Sequence, residues 1–261
     1  MKKHFIFLLF VSVQLIAQQD TYLELIDYQM PLINPAHAGA EGQAFNFNSR
    51  NQWASIDQSP KTISFAYSLA RGNNVGLGIS VISDEVFIEK QTFVSVDFSY
   101  KLTLDNDSNI FLGLKGGLNS FRANTTNLTS YSPTVDPAKR DMSKLNPNVG
   151  VGVLYQNNSF WFSAAIPRLF NAKRNDEIYL NARDRVHFYM AMGVSLKVKE
   201  NLNIEPRFIY RNSSGIKSIS EGVIWANYKM KYGFGVGIRT CLLYTSPSPR
   251  DLSTSRMPSS A

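Results

Sequence analysis

Cysteine is almost missing from this chain. The only one, Cys241, stands in a C-terminal stretch unlike the rest. The body can therefore hold no disulfide, no thiolate nucleophile and no cysteine-based metal site. Histidine is nearly as scarce: there are only His4, His37 and His187, too few for a zinc site. No metal or cofactor is expected. Charge is low, at 18% of residues, with a net +7. Lys2 and Lys3 supply two of those charges, and Arg250, Asp251 and Arg256 together one more, which leaves +4 on the body. Without a Lys/Arg stripe, nucleic acid is excluded as a partner. The 16 Gly and 11 Pro follow no fixed period, which excludes a collagen-like chain. The 44% hydrophobic share excludes a wholly disordered one.

The two ends differ from the middle. Residues 1–17 read as a secretory signal peptide: Lys2 and Lys3, an apolar run from Phe5 to Ile16, then cleavage after Ala17. That run is too short to cross a bilayer as a helix. At the other end, residues 241–261 break a strand pattern in mid-course after Thr240 and are rich in Pro, Ser and Arg. Their start, Cys-Leu-Leu-Tyr-Thr-Ser, resembles a translated transposon-end adapter of the kind used in sequencing libraries. They are read as a non-native tail. On this reading the gene is cut short and further strands would follow Thr240.

What the sequence has in quantity is two-residue alternation. Val94, Val96, Phe98 and Tyr100 alternate with Ser95, Asp97, Ser99 and Lys101. Ile110, Leu112, Leu114 and Leu118 alternate with Gly113, Lys115, Gly117 and Asn119. Phe188, Met190, Met192, Val194 and Leu196 oppose His187, Tyr189, Gly193, Ser195 and Lys197. Ile204, Phe208 and Tyr210 oppose Glu205, Arg207 and Arg211, and Phe234, Val236 and Ile238 oppose Gly233, Gly235, Gly237 and Arg239. With weaker segments at 44–51, 61–69, 75–82, 160–166 and 220–229, the body holds about eleven strands.

Strands of this length with one apolar and one polar face suit an antiparallel outer-membrane β-barrel. Lipid demands that every backbone group be paired, and among sheets only a closed barrel achieves that. Short turns at 105–107, 157–158 and 200–201 alternate with longer polar loops at about 121–146 and 167–185, the asymmetry of such barrels. A soluble β-sandwich also alternates; the leader, the aromatic content and the strand lengths favour the barrel. Barrels close with an even strand number, so an odd set ending at Thr240 reads as incomplete. The barrel is assigned to residues 44–240, with 18–43 an N-terminal periplasmic segment lying against the barrel or capping its mouth. On this parity Asp97, Lys115, Lys197, Glu205, Arg207 and Arg239 face a Gly-rich lumen. Trp53, Trp161 and Trp225 are assigned to an interfacial aromatic belt.

Several segments carry a family resemblance. They are Tyr28-Gln29-Met30 with Asn34-Pro35-Ala36-His37-Ala38-Gly39, then Arg50-Asn51-Gln52-Trp53, Ser59-Pro60-Lys61-Thr62, Asn73-Asn74-Val75-Gly76-Leu77-Gly78 and Gly113-Leu114-Lys115-Gly116-Gly117-Leu118-Asn119. Over nearly all of 18–240 the chain resembles the PorP/SprF family of type IX secretion system membrane proteins. His37 stands where that family usually has an aromatic residue, and the family's final strands are missing, so about eleven of about fourteen strands are expected. The resemblance implies an outer-membrane, non-catalytic component of protein secretion. It would support export or surface attachment of substrate proteins, gliding adhesins in some members. Implied partners are other secretion components, including a periplasmic peptidoglycan-linked protein, the secreted substrates and outer-membrane lipid. The segments carrying the resemblance nominate Tyr28, Asn34, Pro35, His37, Gly39, Gln52 and Trp53 for partner contact on the periplasmic side. Barrel physics alone would also allow a passive channel or a transporter of small hydrophobic solutes. No nucleophile elbow or phosphate-binding loop supports an enzyme.

Overall fold

A computed structural model describes residues 29–240, apart from 54, 57, 73, 106, 126–140, 171–184, 214, 215 and 230. The expected signal peptide and the C-terminal tail lie outside the described residues. No helix among those described is long and apolar enough to cross a membrane, which says nothing of a β-barrel.

The fold is nearly all antiparallel β. The strands are β1 (Ala44–Asn51), β2 (Lys61–Arg71), β3 (Val75–Val86), β4 (Glu89–Asp105), β5 (Ser108–Ala123), β6 (Met142–Asn157), β7 (Phe160–Ile166), β8 (His187–Val194), β9 (Leu196–Lys199), β10 (Leu202–Ser213), β11 (Ile216–Tyr228) and β12 (Tyr232–Arg239). They form one sheet in chain order, with β8 and β9 both paired to β10. β8 and β9 are one strand with an interruption. Arg207 faces Gly193 and Ile204 faces Leu196 in a common register. Between them lies Pro206, which has no N–H to offer the ladder. Counted this way, eleven strands follow one another among the described residues, as the alternation predicts. β1 and β12 pair only with β2 and β11, so the sheet is open among the described residues.

The faces are inverted relative to a soluble sheet. Val96, Leu114 and Phe47 point outward and are 59%, 60% and 62% exposed. Ser95, Asp97, Ser99, Lys115 and Asn119 point inward and are buried. A sandwich would bury the apolar set; an apolar exterior around a polar interior is the arrangement of a barrel wall in lipid. Outward tyrosines Tyr67, Tyr100, Tyr155, Tyr228 and Tyr232 stand close to one end of their strands, where a girdle at the membrane interface is expected.

That end carries the turns 72–74, 106–107, 158–159, 200–201 and 229–231. The opposite end carries the connections 52–60, 124–141 and 167–186, but also the two-residue turn 87–88 and the two-residue link between β10 and β11. All long connections thus share one end, as expected, although that end is not uniformly long-looped.

Candidate functional site

The concave side of the sheet is occupied by residues 29–40. They begin with a single helical turn, α1 (Met30–Ile33), and continue as a 3-10 turn, Pro35–His37. Two prolines start these turns, at Pro31 and Pro35, where a missing N–H costs nothing. Asn34, which precedes Pro35, is extended, with φ −114° and ψ 111°, as that neighbour requires.

α1 bridges the lumen. Met30, Leu32 and Ile33 form one buried apolar cluster with Ala66 of β2, Ala191 of β8 and Ile209 of β10, flanked by Ile82, Trp161 and Tyr189. These wall residues sit at inward parity, where neighbouring positions are polar. They are the signal that sequence reading missed: apolar side chains on the polar face mark where something apolar lies inside.

Asn34 is the polar anchor. Its Oδ1 accepts from the Ala36 N–H at 2.9 Å, capping the 3-10 turn. Its Nδ2 donates to the Val153 carbonyl at 3.0 Å and to Ser163 Oγ at 2.8 Å. Ser99 Oγ donates to the Ala38 carbonyl, and Ser64 Oγ to Gln29 Oε1 at 3.0 Å. Ala36 is fully enclosed between Phe111 and Leu154.

The wall glycines fit this segment. A Cβ on Gly113 would overlap the Ala36 backbone, one on Gly76 the Ala38 carbonyl, and one on Gly152 the Asn34 side chain. Gly39 itself has φ +71°, and a Cβ there would lie 2.8 Å from the Leu69 carbonyl, so only glycine suits the position. His37 is half-buried. Its Nε2 lies 3.1 Å from Ser163 Oγ and its ring meets Trp161 edge-on at 6.5 Å. Desolvation inside the wall lowers its pKa from 6.5 to about 4.

Of the residues nominated for partner contact, Tyr28 lies outside the described residues. Asn34 and Pro35 are buried against the chain's own wall and offer no surface in this conformation. His37 and Gly39 are partly covered beside them. Gln52 and Trp53 are elsewhere. They open the 52–60 connection at the long-loop end, with Trp53 64% exposed, whereas Gly39 leaves the lumen beside β2 and β3 near the 72–74 turn. The residues nominated together for contact on the periplasmic side are therefore divided between two ends of the wall. The belt assignment fails for Trp161 and Trp225. Both point inward by strand parity, Trp161 on the face of Ser163 and Trp225 opposite Glu205, and each indole lies over its cross-strand glycine, Gly193 and Gly235.

Among the described residues, five of the six charged residues assigned to the lumen fall into three groups. Lys115 Nζ lies 2.7 Å from Asp97 Oδ1, with side chains 0% and 3% exposed. It also donates to Ser80 Oγ at 3.1 Å and Ser95 Oγ at 3.3 Å. Burial at this depth disfavours both charges unless they are paired and hydrogen-bonded, and here they are. Glu205 accepts from Arg207 at 2.7 Å, Asn203 at 2.9 Å and Asn227 at 3.0 Å. Arg239 donates twice to Glu221 Oε2, at 2.9 Å and 2.6 Å, near the open edge. Lys197 is exposed on β9. No group of three or more His, Cys, Asp or Glu able to hold a metal is found among the described residues.

A family model described as type IX secretion system membrane protein PorP/SprF matches residues 15–252. The chain belongs to the PorP/SprF family. The match begins inside the expected leader and runs past Thr240 into the segment read as non-native. No curated protein and no solved structure matches. PorP/SprF membership and an antiparallel sheet with an apolar exterior together make this a membrane component of type IX secretion.

Proposed function

We propose that this PorP/SprF chain is a non-catalytic outer-membrane component that supports export or surface attachment of substrate proteins, with its lumen closed by its own N-terminal segment. The carrying observation is the seating of residues 29–40 on the concave wall through Asn34, Ala36 and Ala38. In this reading the short-turn end is periplasmic and the long-loop end extracellular. The periplasmic end meets other secretion components, including a peptidoglycan-linked protein. The extracellular end, with Gln52 and Trp53, meets substrate.

Deleting residues 28–39 should abolish export of a reporter cargo while the wall still inserts. Normal export by the deletion overturns the proposal. The competing reading, a passive channel or hydrophobic-solute transporter, predicts a steady open conductance of the intact chain in planar bilayers. The filled lumen favours its absence.

A further inference from the structure

We propose that the concave strip lined by Gly76, Gly78, Gly113 and Gly152 is a peptide-binding site, filled here in cis by residues 29–40, that accepts an exported polypeptide segment with the same order of Asn, Pro and small residues. The inference rests on the export reading above for the source of that segment, but not for the existence of the site.

Three observations carry it. First, the segment is a self-contained module. Its backbone bonds run from Asn34 N–H to Met30, His37 N–H to Asn34, Ala38 N–H to Pro35, Ala40 N–H to His37 and Gly42 N–H to Gly39. None is a rung of the sheet. The strand ladders from β1 to β12 are formed without it, so its departure breaks no rung of the sheet and gives up only the bonds its side chains and carbonyls make to the wall, such as Asn34 to the Val153 carbonyl.

Second, recognition is specific to side-chain type. The Asn34 amide reaches β6 and β7 at once through Val153 and Ser163. Ser99 takes the carbonyl four residues on. Gly113 and Gly76 let the segment's backbone lie directly on the wall, while Ala36, enclosed by Phe111 and Leu154, and Ala38, whose Cβ faces Gly78, leave no room for much larger side chains. A peptide ordered Asn-Pro-small-x-small meets every one of these requirements, and bulkier sequences clash.

Third, the tether permits exit. Gly42 has φ +83° and nothing within 4 Å of where its Cβ would be. Rotation there moves the module as a unit, and the wall side chains it uncovers, Ala66, Ala191 and Ile209 with Phe111 and Leu154, are those that an incoming peptide of the same order would cover again.

The test uses the full chain in detergent and a labelled peptide, QMPLINPAHAGAEG, matching residues 29–42. A tethered segment competes at high effective concentration, so the unaltered chain should bind the peptide weakly. The full chain carrying Asn34→Ala with Ala36→Leu should bind it at least ten-fold more tightly, because its own segment no longer fits. The milder Asn34→Ala chain should give an intermediate gain. The same Asn→Ala change placed in the peptide should lower affinity at least ten-fold. Affinity unchanged by the chain substitutions, or by the peptide substitution, overturns the proposal. So does failure of both variants to fold, which would make the segment an indispensable part of the wall. Peptide binding together with normal export by Asn34→Ala would leave this site standing and remove the export reading. Lost export without peptide binding would do the reverse.

Discussion

Alternating glycines appear on the concave face in two regions and do different work in each. In β3, β5 and β6 they clear a path for residues 29–40: Gly76 under Ala38, Gly113 under Ala36, Gly152 under Asn34. In β12 the same pattern, Gly233, Gly235 and Gly237, clears little. Gly235 lies under the Trp225 indole, and Gly237 has only Val223 and the Gly222 carbonyl within 4 Å. β12 is exposed on both faces, with Ile238 78% exposed. A glycine's role on a barrel wall is thus set by what lies across from it in space. The pattern along the strand is the same in both cases.

The ion pairs divide in the same way, and they offer the largest test. Lys115→Ala should leave the Asp97 carboxylate buried beside Ser80 and Ser95 without its cation. A loss of about 3–5 kcal/mol is expected. Arg239→Ala breaks a pair that is partly solvated at the edge and should cost about 0–1 kcal/mol. Denaturant unfolding of both variants in lipid vesicles decides. Similar losses would mean that the two halves of the lumen are equally wet.

Next comes the outer face. Val194→Arg should cost roughly 2–4 kcal/mol if that residue lies near the bilayer midplane, because it places a guanidinium in lipid. The adjacent Ser195, which accepts from Asn203 at 2.9 Å, has the opposite parity, and Ser195→Arg should cost much less in the same unfolding assay. Asp97 is a poor control for this purpose, since an arginine there would confront Lys115. Equal effects at 194 and 195 would contradict the parity of β8.

The glycine contrast itself predicts a smaller difference. Gly113→Leu drives a side chain into Ala36 and should cost about 1–3 kcal/mol by overpacking. Gly237→Leu meets only Val223 at its nearest side chain and should change stability little. Both are read from the unfolding midpoint. If Gly237→Leu proved the costlier, the edge would hold something that this conformation does not show.

The wall was legible in the sequence because a strand's side chains alternate strictly. Val94 to Tyr100 and Ile110 to Leu118 declare their faces whatever surrounds them. The inner segment was not legible in the same way. Residues 29–40 form two short turns with no usable period, and their partners are scattered from Ala66 to Ile209. The hint of a filled lumen lies in the apolar exceptions on the inward face, Ile82, Phe111, Leu154 and Ile209 among them. Asn34 and Pro35 stood out through family resemblance, but the reason for their identity is an internal fit, which spacing cannot reveal. Trp161 and Trp225 misled because an indole over a glycine and an indole at the membrane interface have the same local sequence context.

The smallest expected effect concerns His37, which sits in the filled region and has no counterpart near β12. Its folded-state pKa is lowered to about 4 from 6.5 by desolvation. The native state therefore holds the ring neutral, while the unfolded chain takes up a proton as pH drops below 6.5. Stability contributed by the neutral ring is fully present above pH 6.5, declines as pH falls, and is lost once pH passes through about 4. Since the ring keeps some exposure, about 1 kcal/mol is expected to have been lost by roughly pH 5.5. His37→Gln removes the titration, so its unfolding free energy should be flatter with pH over that window than the parent's. The comparison is sharpest in a chain whose segment is displaced by Ala36→Leu. There His37 regains water, and the pH dependence should shrink even though the histidine remains. Persistence of the full slope in that chain would show that another group, outside residues 29–40, carries the titration.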